Sequence, residues 1–185
     1  MNSNNGVLQS KLRIITDLVE YSYLRLNVWE TLSSKSNKSK NPHIANNEIL
    51  DIMTYSCYQM LYIDIAIMFE MNGKHSIRKL FNSLPNSFKS KMMLIEGWKR
   101  VEEEYLNEIR SVVEFRDKFL AHRDILKDGF FEKNLLLNDA IRKILETVDA
   151  AIREVWFELA DGAPKLDNTD KDVSIIKQIF KIESI

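Results

Sequence analysis

The chain has 185 residues, enough for one hydrophobic core and too few for two comfortable ones. Hydrophobic residues make up 45% and charged residues 29%, the balance of a folded rather than a disordered chain, while five Gly and three Pro are too few for the turns of an all-β fold. A net charge of −1 excludes a protein that coats nucleic acid by blanket electrostatics, so any such contact must come from a local positive patch.

In chain order, apolar residues at Leu8, Leu12, Ile15, Val19, Leu26 and Trp29 recur at spacings of three and four. They predict a long helix over about 7–32, with Leu18 and Tyr23 widening the stripe. Residues 33–47 are polar, aperiodic and contain Pro42, which predicts a solvated, flexible loop carrying Lys35, Lys38 and Lys40. A second helix follows over about 46–71, with Ile49, Met53, Ser56, Met60, Ile63 and Ile67 on one face and Tyr55, Tyr58 and Tyr62 flanking it. Aromatics at that spacing point to core or dimer interface rather than to a cofactor box. Cys57, the only cysteine, lies in this helix as a small buried residue, and its solitude excludes an internal disulfide or a cysteine-based zinc site.

Asn72-Gly73 reads as a left-handed helix stop, and residues 75–84 as a short helix closed by Pro85. A third long helix is expected from near Phe88 to about Ala121, bent at Gly97, with Trp98, Val101, Tyr105, Ile109, Val112 and Phe119 along its stripe. Asp128-Gly129 marks a turn. A fourth helix over about 138–160 carries Ile141, Ile144, Leu145, Val148, Ile152, Val155 and Leu159, and Asp161-Gly162-Ala163-Pro164 ends it. A last short helix is expected over about 170–181, capped by Asp170. The whole reads as a single all-α domain over 1–185, an antiparallel bundle of four long helices (about 8–160) plus short accessory helices. The opening Met-Asn-Ser-Asn-Asn-Gly is no secretory signal, and the most apolar stretch, 60–71, is broken by Asp64 and Glu70 and falls short of a bilayer. A cytoplasmic protein with no membrane partner is the expectation.

Most site types are missing from the sequence. It has no Gly-rich phosphate loop, no His-Glu-x-x-His or Glu-x-x-His and no Gly-x-Ser-x-Gly elbow. With three His and one Cys, no spacing proposes a metal or cofactor, and none is expected. What remains is the string Arg116-Asp117-Lys118-Phe119-Leu120-Ala121-His122-Arg123-Asp124 at the end of the third long helix. Arginine offers phosphate a planar fork of donors, and histidine exchanges a proton near neutral pH. Together they suit metal-free RNA cleavage. Imidazole activates the ribose 2′-hydroxyl or protonates the leaving oxygen, arginine stabilises the phosphoryl charge, and the products are a 2′,3′-cyclic phosphate and a 5′-hydroxyl. Against this stands a plainer role, since Lys118, His122 and Arg123 also suit the negative end of a helix dipole. Tyr105, Phe115 and Phe119 are read as core rather than as base-stacking residues.

The string resembles the signature of the HEPN superfamily, whose ribonuclease members carry Arg, a polar residue, a few mostly apolar residues and then His. Arg116, Asp117 and His122 match these positions. The continuation through Asp124 is similar to the abortive-infection and toxin–antitoxin branch, which also places a Trp-bearing first helix, here with Trp29, before an apolar second one. Asp117 stands where that branch more often has Asn.

The resemblance implies an endoribonuclease with Arg116 and His122 catalytic, Asp117 orienting them, and Arg123 and Lys118 contacting RNA. It also implies phage defence or a toxin–antitoxin role, a homodimer through the face carrying Arg116 and His122, and an antitoxin protein as a further partner. The alternative is a non-catalytic HEPN module binding RNA, a nucleotide or a partner protein as a dimeric platform. Residues six apart on a regular helix point about 120° from each other, so convergence of Arg116 and His122 requires the helix to bend or end near Ala121.

Overall fold

Eight helices and no strand occur among the residues described by the computed structural model, which are 3–70, 73–121 and 138–159. The protein is an all-α bundle. Its helices are α1 (Ser3–Ser33), α2 (Lys35–Lys40), α3 (Pro42–Ala45), α4 (Glu48–Phe69), α5 (Ile77–Ser83), α6 (Lys91–Glu104), α7 (Leu106–Ala121) and α8 (Asn138–Glu158). The expected turn at Asp128-Gly129 and the expected helix over 170–181 lie outside the described residues. The helices group into two compact units. One takes the first part of α1 and everything described from Tyr62 onward; the other takes residues 20–61.

In the first unit the amphipathic reading holds closely. Ile141, Ile144, Leu145, Val148, Ile152 and Val155 of α8 are all buried, as are Leu8, Leu12, Ile15 and Val19 of α1. A polar link crosses this core. The Trp156 indole N–H donates to the Thr16 hydroxyl at 3.2 Å, and that hydroxyl donates to the Leu12 carbonyl at 2.9 Å, so neither buried group is stranded. Aromatic rings fill the space between α4, α5, α6 and α7. Phe69 stacks on Trp98 at 4.8 Å, Phe81 meets Trp98 edge-on, and Tyr62 meets Phe115 edge-on at 5.3 Å.

Three expectations are corrected. The apolar face read along α4 is mostly not its buried one, since only Ile63 and Ile67 of it are half-buried. Ile49, Met53 and Met60 are 70%, 51% and 41% exposed, and Ser56 is exposed, while Leu50, Tyr58, Leu61, Tyr62, Ile65 and Met68 are buried. Apolar residues occupy nearly every side of α4, so periodicity alone does not choose the buried one. The tyrosines decide it: Tyr58 and Tyr62 are each 1% exposed, and Tyr58 stacks on Trp29 at 4.2 Å. The helix is long and apolar enough to cross a bilayer, but 56% of its most apolar window is buried within the protein.

Second, residues 33–47 hold α2 and α3 instead of an extended loop. Pro42 opens α3, where its missing N–H costs nothing, and Ile44, 1% exposed, packs with Val28, Leu32 and Leu50 in the core of the second unit. Half-buried Cys57 borders that cluster. Asn47 then caps α4, its side-chain oxygen accepting from the Ile49 and Leu50 amides at 3.1 and 3.2 Å.

Third, the helix expected over 88–121 breaks at Tyr105 rather than bending at Gly97. Glu102, Glu103 and Glu104 crowd the last turn of α6, where the helix dipole opposes carboxylates, whereas Glu108 in the first turn of α7 is favoured. Gly97 lies inside continuous helix, and a Cβ there would meet nothing within 4 Å. Gly97→Ala is therefore expected to stabilise the protein by about 0.4–1 kcal/mol in urea unfolding, and a loss of stability would contradict an unstrained helical site.

The start of α6 is capped from another helix. Ser90, at the N-cap position, makes no cap bond with its own hydroxyl, and Glu158 at the end of α8 supplies the acceptor. Its carboxylate accepts from the Ser90 amide at 3.1 Å, and also from the Lys89 amide and the Ser90 hydroxyl. The Ser90 bonds foremost hold the Glu158 carboxyl below its ordinary pKa. Its stabilisation is thus present above the ordinary carboxylate range and lost as pH falls through the lowered value. Glu158→Gln should lower Tm at neutral pH, with the difference from wild type shrinking as the solution is acidified. A difference that does not change with pH would contradict a charged cap.

Candidate functional site

Arg116 lies on α7 directly after Phe115, which is 2% exposed in the aromatic core, so the backbone at Arg116 is fixed by packing. The guanidinium side chain is itself only 13% exposed. A charge this far withdrawn from water requires partners. It has two. Nε and Nη2 donate to Oδ1 of Asp117 at 3.0 and 2.7 Å, and Nη1 lies 3.1 Å from Oε2 of Glu70. Burial works against its charge, but the bonds and charges of Asp117 and Glu70 outweigh this and raise its pKa above the ordinary arginine value. Asp117, with a 62% exposed side chain, orients the fork from the solvent side; Glu70, 42% exposed, holds it from the end of α4.

Lys118 points to a different partner, Glu114, one turn back on α7. His122 and Arg123 lie outside the described residues, as does Asp124. Of the five residues singled out from the sequence, the structure therefore brings Arg116 and Asp117 together and turns the Lys118 ammonium to Glu114.

Glu70 went unread in the sequence, where it registers only as an interruption of an apolar run. The signal lay three residues on. A Cβ at Gly73 would come within 2.7 Å of Glu70 Oε2 and 3.0 Å of Glu70 Cβ, and the Gly73 amide donates to the Glu70 carbonyl at 3.2 Å. Gly73 is thus needed for close approach to Glu70 and not for a left-handed stop, since its φ lies outside the left-handed range.

Glu70 also lines a cleft of about 750 Å³. Phe69, Leu106, Ile109 and Val113 make its apolar lining; Arg78, Lys99 and Arg110 face it together with Glu70, Glu102 and Glu103. The volume lies in the range of ligand pockets, and the charges balance in number. Arg78 is bound to Glu102, with Nε donating to Oε1 at 3.1 Å and Nη2 contacting Oε2. No family model matches the chain, and no curated protein or solved structure matches it.

The Gly73–Glu70–Arg116 arrangement yields a graded expectation. Gly73→Ala should cost roughly 1–3 kcal/mol in urea unfolding, because the crowded Glu70 Cβ cannot swing aside as its carboxylate can. Glu70→Gln should cost less than about 1 kcal/mol, since its carboxylate is substantially exposed. Equal losses would mean that the backbone around Gly73 absorbs the added methyl.

Proposed function

We propose that this protein is a metal-independent endoribonuclease of the HEPN type, acting in the cytoplasm in phage defence or as the toxin of a toxin–antitoxin pair. The observation that carries the reading is Arg116. Its guanidinium is withdrawn from water, oriented by Asp117, and held six residues before His122 by a second carboxylate, Glu70, that lines a cleft of ligand size.

A phosphodiester presents the same bidentate acceptor geometry as a carboxylate, so RNA can replace Glu70 on one edge of the fork while Asp117 keeps the other. A base takes the proton of the ribose 2′-hydroxyl, the 2′-oxygen forms a bond to phosphorus, and the bond from phosphorus to the 5′-oxygen breaks. An acid returns a proton to that leaving oxygen. His122 fills the acid or base role and Arg116 stabilises the charge on the non-bridging oxygens. The biological role rests on the resemblance of the Arg116–Asp124 string alone.

A second reading is favoured by the same carboxylates. With two anions satisfying it, Arg116 also fits a structural cation in a non-catalytic module that binds RNA, a nucleotide or a partner protein.

Purified wild type, Arg116→Ala and His122→Ala, incubated with single-stranded RNA in EDTA, separate the two readings. The nuclease reading predicts cleavage by wild type to 2′,3′-cyclic phosphate ends, with a loss of about 100-fold or more in each folded variant. Inertness of all three, or equal cleavage by all three, would leave the binding module as the reading to pursue.

A further inference from the structure

Two cavities of the first unit share a wall. The cleft of about 750 Å³ and a smaller pocket of about 170 Å³ between α5 and α6 are both lined by Arg78 and Lys99. Beyond that pair the small pocket is lined by Phe81, Asn82, Ile95 and Trp98, with no carboxylate among them. Its polar groups are short of acceptors. Asn82 and Lys99 make no hydrogen bond or ion pair among the described residues, and Arg78, bound to Glu102 through Nε and Nη2, keeps Nη1 unbonded. Trp98 is 3% exposed, and its indole N–H is buried without an acceptor. Four donors around one pocket, with no acid beside them, suit an oxyanion.

The large cleft, on the other side of Arg78 and Lys99, has room for the rest of such a ligand. One face of Phe69 is already stacked on Trp98, so Leu106, Ile109 and Val113 make most of its apolar lining, and an aliphatic body fits them. Charge limits what that body carries. Arg78 and Glu102 cancel, and Glu70 is matched by Arg116, which leaves Lys99 and Arg110 against Glu103. Glu103 follows Lys99 by one turn, the less favourable order for a helical ion pair, and the two do not bond. The excess is a single positive charge, and three carboxylates in the lining oppose a polyanion. Lys99 and Arg110 lie eleven residues apart, and only Lys99 borders the donor pocket, which places the anionic head at that end.

We propose that this double cavity binds an aliphatic monocarboxylate of medium chain length. Its carboxylate lies at Arg78, Asn82 and Lys99, and its chain lies along Leu106, Ile109 and Val113. The site leaves the Arg116 fork untouched and does not rest on the nuclease reading.

Titration of the full chain with octanoate, octanol, acetate and ATP, followed by nitrogen-15 NMR of the indole N–H resonances, tests it. The chain has three Trp, and Trp98→Phe assigns the resonance that matters. Octanoate should shift the Trp98 resonance saturably, with a midpoint at about 1 mM or below. Octanol, which lacks the charge, and acetate, which lacks the chain, should each bind about tenfold more weakly or worse. Lys99→Ala, at an exposed position, should weaken octanoate about tenfold or more and leave octanol unchanged. Leu106→Asp, also at an exposed position, should weaken both. A Trp98 resonance unmoved by octanoate overturns the proposal, as does octanol binding as tightly as octanoate. Octanoate binding indifferent to Lys99→Ala or to Leu106→Asp overturns it too. A shift of this resonance by ATP at lower concentration than by octanoate assigns the site to polyanions and overturns it as well.

Discussion

Withdrawing one guanidinium from water sets conditions on several distant stretches of this chain. Arg116 follows a core phenylalanine and is held at 13% exposure, so its charge must be met by carboxylates within bonding distance. Asp117 meets it from the next position in the chain, which the sequence supplies at no topological cost. Glu70 meets it from the end of α4, forty-six residues away in sequence, and this fixes where α4 must finish relative to α7. Gly73 is the further consequence, because a Cβ there would come within 2.7 Å of the Glu70 carboxylate and 3.0 Å of its Cβ, so Glu70 would have to shift. An ion pair of this type adds little net stability over an apolar substitute, and its value lies in the geometry it enforces.

That geometry also explains how one residue can suit two roles. A fork held by carboxylates is already arranged for planar, doubly acceptor-bearing groups, so the exchange of a carboxylate for a phosphate reorganises little. In the proposed nuclease the cost would be competition, since phosphate would have to displace Glu70, whose carboxylate lines the cleft. On the same proposal Asp117 would add to that competition, while its bonds to Nε and Nη2 orient the fork.

How much of this was readable beforehand differs by element. The stripes of α1 and α8 were legible because each buries one side and wets the other; most of the residues the spacing indicated are buried, though Trp29 and Leu159 are only half-buried and Val28 and Trp156 are buried without having been indicated. In α4 the same reading picked an apolar face that is mostly exposed, since the helix is apolar nearly all round, whereas the core role read for its aromatics holds at Tyr58 and Tyr62. The break at Tyr105 was hidden because the apolar stripe runs through it from Trp98 to Val112; the three consecutive glutamates before it carried the signal. Ile44 alone, in a polar stretch, hinted that residues 42–45 were anchored. At the site, Arg116 and Asp117 stood out through their chemistry, whereas Glu70 and Glu158 act across long sequence separations that no local spacing encodes.

The claim at the centre of this account is that the Arg116 fork is held by carboxylates and yields to phosphate. Its Nε–H resonance, assigned by comparison with Arg116→Lys and followed by nitrogen-15 NMR, reports that exchange directly. On titration with a single-stranded oligonucleotide whose 2′-deoxy sugars prevent cleavage, the account predicts a progressive shift of this resonance, suppressed by added salt. A resonance unmoved at saturating oligonucleotide would contradict it and leave Arg116 as a structural cation bound to Glu70 and Asp117.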